Sequence, residues 1–318
     1  HIKKGKEGFV SSLTEHFPEE RTNLEAYVDA VYRLTDETDL FYLRPSNDVF
    51  PVHSEEFNLA ADAFIAKYIQ NPKLRNVVAY MNPLYGGMAD ATPAYVHAIV
   101  SVLYMQGASR FVGGSDRFAQ LLVSVIESAG GEVRCNEGAE WVGVNDRHVD
   151  YVRSTKGNEY RADHYISAIH PCALLPLLSE KAFPKAYRTR LNDIPNAYSA
   201  FSVYVKFKPE TFPYINHSEY YMTRYDEVWH FGEHHDTWPL GFLFMTPPED
   251  NQGKYADKAI ITAPMIFDEV EKWAQTIVGR RGKDYELWKK EQAQKLLERI
   301  EEIHPGFNAC VDKVNTAS

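Results

Sequence analysis

GASRFVGGSDRFAQLLVSVIESAGGEVRCNEGAEWVGVNDRHVDYVRSTKGNEYRADHYISAIHP, residues Gly107 to Pro171, decides how the rest of the chain is read. Gly113-Gly114 give a turn. Ser115 and Asp116 follow as residues whose side-chain oxygens accept from the free N–H groups of a first helical turn. Phe118, Leu121, Leu122, Val125, Ile126 and Ala129 recur at helical spacing, which predicts an amphipathic helix closed by Gly130-Gly131. Short strands are predicted next, around Val133 and Cys135, over Ala139 to Val144, and over Val149 to Thr155. Polar turns at 145–148 and 156–158 separate them. Tyr160 to Ile169 ends in HYISAI, a nearly continuous apolar run that predicts a buried strand of an interior sheet, stopped by His170-Pro171.

Upstream, His1 to Leu34 reads as a linker followed by a helix that starts at Phe17-Pro18-Glu19-Glu20. Leu24, Tyr27, Val28, Val31 and Leu34 form the apolar face of that helix. Asp36 to Pro51 reads as a loop and a candidate mobile cover. Helices are predicted over Glu55–Ile69, Lys73–Met81 and from Pro93 to Tyr104, with a turn at Gly86-Gly87. Downstream, a short helix over Cys172–Leu178 precedes strands at Ala197–Phe207, Tyr220–Met222, Val228–Phe231, Leu240–Met245 and Ala259–Ala263. Helices over Phe267–Val278 and Asp284–Ile303 close the pattern.

With 318 residues the chain can bury a sizeable core. Its net charge of −10 argues against a nucleic-acid partner, which favours a basic face. Cys135, Cys172 and Cys310 are odd in number and have no metal-ligand spacing, so they read as reduced, mostly buried thiols of a cytoplasmic protein. No run reaches the roughly 18 apolar residues of a membrane span. The helix at Glu55–Ile69 is the candidate for peripheral contact with a membrane surface, but it carries acids rather than a basic face, which favours packing on its own domain. The chain opens on His1 and stops at Ser318 without a terminator, so both ends read as cut, and no signal peptide is recognisable.

Taken in order, these features resemble the phytoene desaturase, carotenoid isomerase and retinol saturase group of flavoproteins. The resemblance rests on Gly113-Gly114 before a helix, Gly130-Gly131 after it, the meander, and Ala162-Asp163 through Ser167-Ala168. The LRNVVA segment at 74–79 and Arg281-Gly282-Lys283-Asp284-Tyr285 agree with it, the latter with the retinol saturase branch in particular. The resemblance implies a mixed α/β fold: a substrate domain with a mixed or antiparallel sheet and helices, plus part of an FAD-binding α/β sheet. It divides the chain into a helical cap at 1–106, an FAD-domain portion at 107–171 and a substrate-domain sheet at 172–318. It also implies an oxidoreductase that desaturates, isomerises or saturates carbon–carbon double bonds of isoprenoid or retinoid chains, with FAD as the cofactor and an apolar small molecule as the partner.

For the cofactor, the resemblance points to Gly113, Gly114, Ala139, Ser167 and Ala168, and it names no catalytic side chain. No GxGxxG turn, which would let the backbone approach a pyrophosphate, occurs in the sequence, and the glycine-rich C-terminal FAD segment of the group is not seen. The expectation is therefore a substrate-side fragment without bound flavin, inactive alone. A non-catalytic module binding an apolar ligand or a partner is the alternative. The stretch from His230 to Asp236 could place two histidines one helical turn apart for zinc, with Glu233 as base, but Gly232 and the aromatic neighbours favour a polar turn and no metal. The 20 tyrosines and 17 phenylalanines suit either a core or a polyene slot.

Overall fold

A computed structural model describes residues 1–45, 51–248 and 253–318. In chain order, the first helices are α1 (Lys6–Thr14), α2 (Arg21–Asp36), α3 (Ala61–Tyr68), α4 (Pro72–Val78), α5 (Ala94–Gln106) and α6 (Ser115–Ser128). A meander of β1 (Ala139–Asn145), β2 (His148–Ser154) and β3 (Glu159–Tyr160) follows, then the short α7 (Pro171–Leu174) and α8 (Lys185–Asn192). The last part holds β4 (Ser199–Phe207), β5 (Ser218–Met222), β6 (Gly241–Met245), β7 (Lys258–Met265), α9 (Lys283–Ile303), α10 (Phe307–Cys310) and β8 (Val311–Ala317). The result is the mixed α/β architecture expected, with antiparallel strand pairing. The chain folds into two compact units, His1–Ser115 with Ala197–Ser318, and Asp116–Asn196. These boundaries follow contact density, whereas the sequence division at 106/107 and 171/172 follows changes in residue character.

In the first unit a helical layer and a sheet layer each have a core. Leu24, Tyr27, Val28, Val31 and Leu34 recur on one face of α2 and are fully buried against α1, α3 and α5. Glu20, buried just before α2, accepts from the backbone N–H groups of Gln70 and Asn71, at 3.3 and 2.5 Å, and so ties the start of α2 to the end of α3. The sheet runs in the order β5-β6-β7-β4-β8. Phe201, Val203, Val205 and Phe207 alternate inward along β4 and meet Leu296, Ile300 and Phe307. Trp273 Nε1 donates to Asp284 at 2.8 Å, which fastens the start of α9.

Several expectations are corrected. The first 14 residues are not all linker, since α1 buries Phe9, Val10 and Leu13. The helix expected from Glu55 begins at Ala61, because residues 55–58 form turns and Ala60 is bridged to Pro93. The loop expected at 36–51 contains a single 3-10 turn at Asp39–Tyr42, and its residues 46–50 lie outside the described residues. Val228–Phe231 is a turn that inserts Val228 and Phe231 into the helical core rather than a strand. Phe267–Val278 forms two short 3-10 turns. Trp273 is buried there and Val270 packs half-buried on the sheet core, while Phe267, Ile277 and Val278 are exposed. The cysteines are free but not mostly buried: Cys135 is exposed and the other two are half-buried.

In the second unit β1 and β2 pair around a tight turn in which Asp146 and Arg147 both have positive φ. Glu137 accepts from Ser154, Asn158 and Tyr160, at 2.6, 2.8 and 2.8 Å, and these donors hold its carboxyl at about 2. Two expectations fail here. No strand forms around Val133 and Cys135, and residues 161–169 are irregular and largely exposed, Ile166 at 96%. An extended segment becomes a strand only when a neighbour takes up its N–H and C=O groups. Among the described residues no strand lies beside 161–169. α6 likewise has no buried residue.

Candidate functional site

The principal cleft lies within the first unit and has a volume of about 1360 Å3. Along β5 the side chains alternate, so Ser218, Tyr220 and Met222 share one face. Tyr220 and Met222 form part of the cleft wall, with Val77 and Tyr80 from α4 and the turn after it. Tyr104 of α5 and the segment Gly107–Arg110 complete this side. The rings of Tyr80 and Tyr220 meet edge to face at 5.2 Å. Burial pushes Tyr80 up to about 12 and Tyr220 higher, the latter with help from Tyr104 and Tyr80. Both phenols therefore stay protonated and can serve only as neutral hydrogen-bonding groups near neutral pH.

A smaller cavity of about 80 Å3 shares Tyr220 and Met222 with the cleft and is lined by Ala200, Phe242 and Pro264. At its edge, a Cβ on Gly241 would stand 2.6 Å from the carbonyl oxygen of Tyr221, so only glycine allows the two strands to pair this closely. Tyr220 and Met222 thus stand between a wide cleft and a narrow apolar recess.

Polar anchors surround this space. Arg110 donates from Nη1 to the Thr246 carbonyl at 2.8 Å and from Nη2 to Ser218 Oγ at 3.1 Å. Thr246 is itself buried and exchanges two hydrogen bonds of 2.9 Å with the Ile215 backbone. Glu219 lies 2.7 Å from His304 Nε2 and 3.3 Å from His217 Nε2. Deeper in the helical layer, His97 is buried with Nε2 2.7 Å from Tyr27 Oη and Nδ1 2.9 Å from Tyr85 Oη. Burial lowers His97 to about 4, so the ring is neutral and one nitrogen accepts while the other donates.

Asn82, also buried, donates from Nδ2 to the Val228 carbonyl and so joins the helical layer to the 225–231 turn. Gly87 sits directly against it, and a Cβ there would fall 1.5 Å from Asn82 Oδ1. Gly87→Ala is expected to lower stability by about 1–3 kcal/mol, because the buried amide has no free direction in which to yield. Urea unfolding measures this, and a loss within the error of the midpoint would show that Asn82 can repack.

The turn at 230–235 pairs His230 Nδ1 with Glu233 at 2.6 Å and lets His235 Nε2 donate to the His230 carbonyl at 2.8 Å. The segment is not helical, so the one-turn spacing does not align its histidines. Among the described residues no three His, Cys, Asp or Glu side chains gather as metal ligands. Nor is any helix among them long and apolar enough to cross a membrane.

Residues 22–312 match the model of a family described as flavin containing amine oxidoreductase. The chain belongs to this family. Among proteins similar to it, the human all-trans-retinol 13,14-reductase is 21% identical over 99% of this chain, and that of Macaca fascicularis is 20% identical. The chain spans 57% of the length of each. A crystal structure of an oxidoreductase from Methanosarcina mazei superposes over 94% of the chain and 60% of its own, with a TM-score of 0.59 at 15% identity. One of a Pyrococcus furiosus protein covers 90% of the chain and 61% of its own, with a TM-score of 0.52 at 15% identity. At this identity the superpositions establish the fold.

A flavin-containing amine oxidoreductase must grip a dinucleotide, and the residues present do not fit a whole one. Gly113 and Gly114, with φ of 82° and 98°, make the turn before α6 as expected. The first turn of that helix carries Asp116, whose carboxylate disfavours a phosphate at the helix N-terminus. Ala139 is the exposed first residue of β1, and Ser167 and Ala168 lie exposed in the irregular stretch 161–169. None of the five lines the cleft or the recess. What sequence reasoning missed is the tyrosine-lined cleft, whose walls come from segments as far apart in the chain as His1 and Tyr255. The aromatic excess was its only sequence-level signal.

Proposed function

We propose that this chain is the substrate-side part of an FAD-dependent oxidoreductase acting on carbon–carbon double bonds of isoprenoid- or retinoid-like molecules, and that the cleft beside β5 holds the apolar chain. The supporting observation is a 1360 Å3 cleft, walled by Tyr80, Tyr104 and Tyr220, with an apolar recess on the other side of the shared wall residues Tyr220 and Met222, in a chain of the flavin-containing family. Its volume exceeds the roughly 300–1000 Å3 of a drug-sized pocket and suits an elongated ligand. When bound, the flavin supplies the electron transfer. The chain's own residues supply an apolar bed and neutral donors that orient the ligand. Gly113, Gly114, Ala139, Ser167 and Ala168 are proposed as edges of a flavin site that other parts of the protein complete, with the exposed stretch 161–169 as a surface those parts meet.

The purified chain is expected to enhance the fluorescence of all-trans-retinol on binding and to show no flavin absorbance. Met222→Glu, which sets a carboxylate between cleft and recess, is expected to weaken that binding about tenfold or more, because a charge there loses its hydration without gaining a partner. Circular dichroism controls for folding. Retinol affinity unaffected by a folded Met222→Glu variant, or flavin that co-purifies with the chain, contradicts this reading.

A further inference from the structure

We propose that Arg110 receives an anionic end group, a carboxylate, on the apolar ligand of this cleft, an inference that rests on the cleft being the ligand site. The charged side chains around the cleft are not equally free. Arg224 is engaged by Asp226 at 3.0 Å and Glu227 at 3.5 Å. Glu219 is engaged by His304 and His217. Lys4 and Arg110 line the same cleft, and among the described residues neither has a carboxylate within ion-pair distance. Among the described residues the cleft thus has a surplus of positive charge, in a protein whose net charge is −10.

Arg110 is also fixed in place. Its two hydrogen bonds among the described residues go to a backbone carbonyl and a serine hydroxyl, both neutral, and the Thr246 end of that support is buried and doubly bonded. A guanidinium has five N–H donors, so its hydrogen-bonding capacity is not used up, and among the described residues no carboxylate compensates its charge. A half-buried arginine in this state favours a planar carboxylate, which it can bind through two parallel bonds. The position also sets a length. Arg110 binds at Ser218, the start of β5, and the apolar recess opens at Met222, its end. Four residue steps along a strand span about 13 Å, so the ligand is an extended chain with an acid at one end and an apolar terminus at the other.

All-trans-retinoic acid and all-trans-retinol are alike except at the end group, and their affinities for the wild-type chain, Arg110→Gln and Arg110→Lys test the inference. The acid is expected to bind the wild type about tenfold or more tightly than the alcohol, with the preference falling as salt is raised. Arg110→Gln is expected to abolish the preference, so that acid and alcohol bind alike, while Arg110→Lys keeps most of it. Equal affinities in the wild type overturn the inference, as does a preference that survives in Arg110→Gln. If that variant fails to fold, a wild-type preference insensitive to salt overturns it instead. Retinol binding without preference for the acid removes only the role of Arg110. If neither compound binds, the cleft is not the ligand site and the inference falls with it.

Discussion

Phe307→Ala is expected to remove about 3–5 kcal/mol of folding stability, the cost of emptying a fully packed aromatic site. Phe307 has no exposed surface. Its ring meets those of Phe212, Phe207 and Phe244 at 5.2, 5.4 and 5.9 Å, joining β4, β6 and the turn after β4 to the chain beyond α9. The approach to Phe307 is set by a local device. Glu301, near the end of α9, accepts from the backbone N–H groups of Gly306 and Asn308, both at 2.7 Å, and these donors lower its carboxyl below the usual range. Gly306 adopts φ 91°, which a side chain would disfavour. A ring held this way cannot follow a collapsing cavity, so the loss should lie well above that of a surface substitution. Urea unfolding measures it, and a cost below about 1 kcal/mol would show that the three neighbouring rings close the space.

Acid is expected to weaken the helical layer through His97. The folded ring titrates at about 4 because burial disfavours its charge, against 6.5 for an ordinary histidine. Between those values the unfolded chain binds a proton that the folded chain does not, so stability rises with pH. The contribution is complete above about 6.5 and is lost progressively as pH falls towards 4, amounting to about 3 kcal/mol at the acid end. His97→Gln keeps a donor and an acceptor but does not titrate. That variant is expected to be less stable at pH 7, since Tyr27 and Tyr85 lose well-placed partners, and to have a shallower dependence between pH 6.5 and 4. Parallel pH profiles for the two proteins would show that His97 does not govern the window.

Local pattern made much of the fold readable. The apolar rows of α2, α5 and α9 and the alternation along β4 each declare their period, and each is buried as that period requires. Elements without such a row were missed. α1 has only Phe9, Val10 and Leu13 to bury, and β8 is an edge strand carrying Asp312, Lys313 and Asn315. The opposite error arose at 161–169 and in α6, where the residues have the right character but no strand pairs with the one and no residue of the other is buried. Burial is decided by the neighbour as well as the segment. The candidate site divides in the same way. The glycine pair before α6 is a matter of local backbone and could be read. The cleft could not, because Tyr80, Tyr104, Arg110 and Tyr220 share a space only after helices and sheet have packed.

A crystal structure of the chain with all-trans-retinol tests the central claim most directly. Density for the polyene is predicted beside β5, between Tyr80 and Tyr220, with its apolar end passing Met222 towards Phe242. Ordered retinol bound elsewhere on the chain, with the cleft beside β5 holding only solvent, would contradict it.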